Sequence, residues 1–130
     1  MDGITVGEFI ELLYPGDKDR DSQIRRGLID ARDREDPGRP LTRADAARLI
    51  HMYLKLSKGV RDIPDISRAS ELRDLYDCRL CADHIAQVYL RGIMEGYVID
   101  GIGEKTFCIF DSRRIMSDDD VKDCLKNMPP

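Results

Sequence analysis

The chain has 130 residues, 42% of them hydrophobic and 35% charged, with a formal net charge of −4 and four cysteines. That length suits a single domain, and that balance describes a helix-rich globular protein rather than a disordered one. The acidic balance argues against nucleic acid as a partner, because phosphate binding needs a basic surface that releases counterions, and no apolar run approaches the roughly 18 residues of a membrane span. The start, Met1-Asp2-Gly3, is acidic and enters an amphipathic segment instead of a basic stretch followed by an apolar one, so no signal peptide is visible. An intracellular protein, or an excerpt or mature form of an exported one, is expected.

The first helix is expected over residues 4–14. It opens on Ile4-Thr5-Val6-Gly7-Glu8-Phe9, in which a hydroxyl followed three residues on by an acid forms a capping box, and Pro15-Gly16 stops it. Residues 22–30 read as a short helix, and 31–40 as a charged loop with Pro37, Gly38 and Pro40. The arginines Arg20, Arg25, Arg26, Arg32, Arg34 and Arg39 alternate there with acids, the pattern of a solvated face with local ion pairs. The second box, Leu41-Thr42-Arg43-Ala44-Asp45-Ala46, opens the best-marked helix, 42–56, whose Ala46, Leu49, Ile50, Tyr53 and Leu54 keep helical spacing.

After a connector with Gly59 and Pro64, Ser67 or Ser70 is placed to cap a helix that begins near Glu71. Residues 79–93 predict another helix, and 96–115 an irregular region with a short hairpin turning at Gly101 to Gly103 and Thr106 to Phe110 as one strand. The third box, Met116-Ser117-Asp118-Asp119-Asp120-Val121, opens a helix that runs to about Asn127 before Pro129-Pro130.

The three boxes begin 37 and then 75 residues apart, close to one and two periods of a helical repeat. Phe9, Leu12 and Leu13 align with Ala46, Leu49 and Ile50, and with Val121, Cys124 and Leu125. A second recurring piece, Arg26-Gly27-Leu28-Ile29-Asp30 and Arg91-Gly92-Ile93-Met94-Glu95, closes a helix in each case.

This order, with Arg39-Pro40-Leu41-Thr42-Arg43-Ala44-Asp45-Ala46-Ala47-Arg48-Leu49-Ile50 and Gly92-Ile93-Met94-Glu95-Gly96-Tyr97, resembles the S-layer homology (SLH) family. Asp100-Gly101, a Phe at 107 or 110, and Asp65-Ile66 continue the likeness. The resemblance implies an all-α domain of short helix pairs around one core, with a pseudo-threefold placement of the three capped helices and one small β-hairpin near 97–110. It divides the chain into a leftover capped helix (1–15), a first repeat (16–57) and a second, divergent repeat (58–130). It further implies a non-catalytic cell-surface anchoring module that binds an acidic, pyruvylated cell-wall polysaccharide or peptidoglycan-linked polymer, with no cofactor.

Arg43 is the ligand contact that the resemblance implies. Independently, an Arg in a first helical turn opposes the helix dipole, and beside free amides its guanidinium suits a carboxylate. Thr42 and Asp45 complete the cap, and Arg39 and Tyr97 are lesser contacts. The chain has no Trp, and Pro15 and Leu80 stand where the family places one; that departure, with the missing signal peptide, supports the alternative of a cytoplasmic or fused protein-interaction scaffold without glycan binding.

Cys78 and Cys81 form a Cys-x-x-Cys with His84 three residues later, half of a metal signature, and Cys108 is a further candidate ligand. Buried structural cysteines are the first reading, and a disulfide or a metal or thiol site the others. Cys124 holds an apolar position of the repeat, which makes it a core residue. His51 and His84 read as packed or half-exposed. The acids of 30–36 fail the register of a calcium loop, since Ala44 falls where a bidentate acid belongs. No nucleophile elbow and no glycine-rich phosphate loop is present.

Overall fold

A computed structural model describes residues 3–100 and 106–129. Six α-helices and one two-stranded antiparallel hairpin are present among them. The helices are α1 (Val6–Leu13), α2 (Arg20–Arg25), α3 (Ala31–Glu35), α4 (Arg43–Met52), α5 (Ala82–Leu90) and α6 (Asp118–Asn127). The last turn of α4 widens into a π-helical turn, Tyr53–Ser57, and two 3-10 turns, Ser67–Glu71 and Leu75–Asp77, precede α5. Strands β1 (Tyr97–Asp100) and β2 (Thr106–Ile109) pair with Tyr97 opposite Ile109. The expected turn at Gly101 to Gly103 lies outside the described residues.

The three boxes start α1, α4 and α6. At α1, Thr5 Oγ1 accepts from the Glu8 amide at 3.1 Å while Glu8 accepts from the Thr5 amide at 3.0 Å; Ser117 and Asp120 reproduce this at α6 with 3.1 and 3.0 Å. At α4 only half the box forms. Thr42 Oγ1 accepts from the Asp45 amide at 3.2 Å, but the Asp45 carboxylate turns to Arg48 and Arg39.

The sequence repeat is also a hydrogen-bond repeat. The Val6 and Gly7 amides donate to Arg39 O and Pro37 O, and the Arg43 and Ala44 amides donate to Arg114 O and Ser112 O. Donors shift by 37 positions and acceptors by 75, the same offsets that separate the boxes. The apolar residues before each cap are strung together too, the Leu41 amide donating to Ile4 O and the Met116 amide to Leu41 O.

The glycines that end α2 and α5 match equally. Gly27 and Gly92 sit at φ 78° and 73°. The following amides reach back in the Schellman pattern, Leu28 to Gln23 O and Ile93 to Val88 O. That turn sends Leu28, Ile29, Ile93 and Met94 into the core.

The core lies where α4 packs on α1 and α5. Phe9, Ile10, Leu41, Leu49, Ile50, Ile85, Phe110 and Met116 are fully buried there, and each such side chain contributes about 1.5–3 kcal/mol of transfer free energy. The aligned apolar positions are not equivalent throughout, however: Leu12 is 49% exposed although Leu49 and Cys124 are buried.

Two segments differ from expectation. The expected loop 31–40 contains α3, which has no apolar stripe and is fastened by an ion pair described below. The helix expected from Glu71 is replaced by the two 3-10 turns, because Leu72 extends to bridge Cys108, the Arg73 amide donates to Cys108 O, and Asp74 accepts from the Phe110 and Asp111 amides at 2.7 Å each.

Candidate functional site

The N-terminal turn of α4 separates two concavities. The larger, a cleft of about 990 Å³, is bounded by Arg39, Thr42 and Asp45 on one side and by Asp77, Cys78 and Cys81 on the other, with Arg32 and Arg113 at its walls. The smaller, about 340 Å³, lies against Arg43, Tyr97, Asp120 and Cys124. The five residues singled out as a ligand set are thus divided: Arg39, Thr42 and Asp45 share the larger cleft, while Arg43 and Tyr97 face the smaller one.

Arg43 differs most from the sequence expectation. Its side chain is buried, its Nε donates to Phe110 O at 2.8 Å, and its terminal nitrogens donate to Glu95 O and lie 3.4 Å from the Tyr97 hydroxyl. The guanidinium rests 4.3 Å from the Phe110 ring centroid and 4.7 Å from that of Tyr97. With the Arg43 and Ala44 amides donating to the 112–114 loop, neither the guanidinium nor the first turn of α4 is left open for an anion. The charge that opposes the helix dipole is offset by carbonyl oxygens and aromatic faces. Arg43 therefore ties α4 to the hairpin.

Arg39 is partly committed as well. Asp33 is fully buried and takes Arg39 at 2.6 Å and both terminal nitrogens of Arg48 at 2.8 and 2.9 Å, besides the Asp30 amide at 2.8 Å. Burial pushes the Asp33 carboxyl up, but the hydrogen bond and charge of Arg48, with the Asp30 amide and Arg39, outweigh it and hold the group below its ordinary value. Arg39 also donates to Arg32 O and Asp36 O. Its Nε is buried without a hydrogen-bond partner among the described residues, 3.5 Å from Asp45 Oδ2.

The free cations of the cleft are two that sequence reasoning passed over. Arg32 and Arg113 are exposed, and neither makes an ion pair within 4.0 Å among the described residues. Arg32 is submerged in a mixed-charge stretch, and Arg113 stands 70 positions from Arg43, so only the 3D fold brings them to one cleft.

The metal candidates separate. Cys78 and Cys81 are joined in a disulfide, and Cys108 lies beside Gly96, where an added Cβ would strike its sulfur. His84 Nδ1 is 2.8 Å from His51 Nδ1, whose Nε2 lies 2.7 Å from Asp62. Burial, then the neighbouring His51 and Arg48, push His84 down to about 4. Among the described residues no group of three or more His, Cys, Asp or Glu side chains is arranged to hold a metal ion. No described helix is long and apolar enough to cross a membrane.

The chain matches no protein-family model, and searches of the curated proteins and of the solved structures return no match.

Proposed function

We propose that this chain is a non-catalytic binding module that holds an acidic polymer, of the pyruvate-bearing cell-wall class, in the cleft beside Thr42, and so anchors whatever carries it to a cell surface. The observation that carries the reading is the cleft itself, about 990 Å³ and lined by two exposed arginines, Arg32 and Arg113, that make no ion pair among the described residues. Guanidinium groups take carboxylates through paired donors. The SLH resemblance at residues 39–50 and 88–101 supports the ligand class, and the duplicated bonds at the starts of α1 and α4 support a pseudo-threefold placement of the capped helices.

In this reading Arg32 and Arg113 bind, Thr42 and Asp45 shape the floor, Arg39 fixes the loop, and Arg43 with Tyr97 braces the wall from behind. The alternative, a protein-interaction scaffold without glycan binding, is favoured by the internal commitment of Arg43. Retention of the purified protein on cell-wall sacculi of a Gram-positive host separates the two readings. Retention on intact walls that disappears after acid removal of the pyruvate-bearing polymer is expected; equal retention on stripped walls, or none on either, would leave the scaffold.

A further inference from the structure

The Cys78–Cys81 disulfide closes a loop with a sequence separation of 3. The Cys81 amide already donates to Cys78 O at 3.1 Å across the same turn, and loop-closure entropy shrinks with loop length, so the bridge constrains little that is not already constrained. Structure therefore gives this bond little to do.

Its surroundings point elsewhere. Both cysteines line the large cleft. Leu80, between them, is 91% exposed and Tyr76 is 65% exposed, so two large apolar side chains near the bond stand mostly in solvent. Cys81 is the N-cap of the nine-residue α5, and its side chain makes no cap hydrogen bond, in contrast to Thr5, Thr42 and Ser117 on α1, α4 and α6. A sulfur at that position is stabilised as thiolate by the open end of the helix.

We propose that Cys78–Cys81 is a thiol–disulfide exchange site whose substrate is an extended polypeptide segment carrying cysteines among apolar residues, docked on Leu80 and Tyr76. A substrate thiolate attacks Cys78 Sγ; the Cys78–Cys81 bond breaks, and its electron pair leaves on Cys81 Sγ as a thiolate at the start of α5. The substrate is then held in a mixed disulfide with Cys78. A second substrate thiolate attacks the substrate sulfur of that bond, forming the substrate disulfide and releasing Cys78 as thiolate, which takes a proton from water. The substrate dithiol is oxidised by two electrons and the protein disulfide reduced by two. Of the other cysteines, burial pushes Cys124 up to about 11 and raises Cys108, so neither competes as a nucleophile at neutral pH. The site does not depend on glycan binding.

The test mixes the oxidised protein with a reduced peptide bearing two cysteines flanked by leucine and phenylalanine, and follows both disulfides by alkylation and mass spectrometry. One peptide disulfide gained for each Cys78–Cys81 bond lost is expected. Leu80→Ser, at a solvent-exposed position, should slow the exchange about tenfold while leaving its end point unchanged. With a one-cysteine peptide supplied as its thionitrobenzoate mixed disulfide, Cys81→Ser should retain the peptide on Cys78 with release of one thionitrobenzoate thiolate, because neither the peptide nor position 81 then carries a second thiol to resolve the bond. A bond that survives excess peptide under native conditions, or equal rates for wild type and Leu80→Ser, would overturn the proposal even if Cys81→Ser failed to fold.

Discussion

Truncating Arg43 to alanine would strip the Glu95 and Phe110 carbonyls of their donors inside the protein. Hydrogen bonds to charged groups contribute about 1.5–3 kcal/mol each, so Arg43→Ala is expected to lower stability in urea by about 3–5 kcal/mol. It should leave retention on cell walls unchanged wherever the variant is folded. Asp33 makes the acid-side counterpart. Its folded carboxyl titrates below the ordinary 3.8, so the unfolded chain takes up the proton first; the stabilisation is complete above about pH 4 and is lost as pH falls through the folded value. Asp33→Asn should cost about 3–5 kcal/mol at pH 7, because Arg39 and Arg48 lose a shared buried partner.

His84 acts in a different window. It is held neutral down to about 4 against an ordinary 6.5, facing His51 and Arg48, with Asp30, Asp62, Lys55 and Asp83 nearby. Between those values only the unfolded state is protonated, so stability falls by roughly 3 kcal/mol as pH drops from 6.5 to 4. His84→Asn should flatten that slope in denaturation curves taken at successive pH values. At this scale the sequence identifies residue types but not their orientation: Arg43 stands out for its position in a cap, whereas what its guanidinium meets depends on tertiary contacts with Glu95 and Phe110, more than 50 positions away.

 A single sequence carries no sign of such partners.

At the scale of elements, the caps and helix ends were legible because they are local. Thr5, Thr42 and Ser117 lie where the boxes place them, and Gly27 and Gly92 take the left-handed conformation that ends α2 and α5. Ser117→Ala should cost about 1 kcal/mol of stability by removing the α6 cap, read as a shift in the denaturation midpoint. Gly96 shows the opposite case, a close approach and not a turn: an added Cβ would strike Cys108 Sγ and come within 2.9 Å of Leu72 Cδ2. The segments that local patterns did not reveal, α3 and residues 67–77, are those held by distant groups. The first is fixed by Arg39 and Arg48 on Asp33, the second by β2 and by the amides that Asp74 binds.

At the scale of the whole molecule, the starts of α1 and α4 share one bonding arrangement. One set of offsets relates the boxes, the amides of the first turns and the carbonyls that receive them. The cleft follows from that layout, because the loop that serves the start of α4 also brings Arg113 to face Arg32. The most direct measurement of the central claim is the binding of wild type and the Arg32→Ala/Arg113→Ala double variant to intact sacculi. Both side chains are exposed, so the variant should keep its fold and its retention should fall at least tenfold, the loss of one or two charged contacts. Equal retention of the two proteins would contradict an acidic ligand held in this cleft.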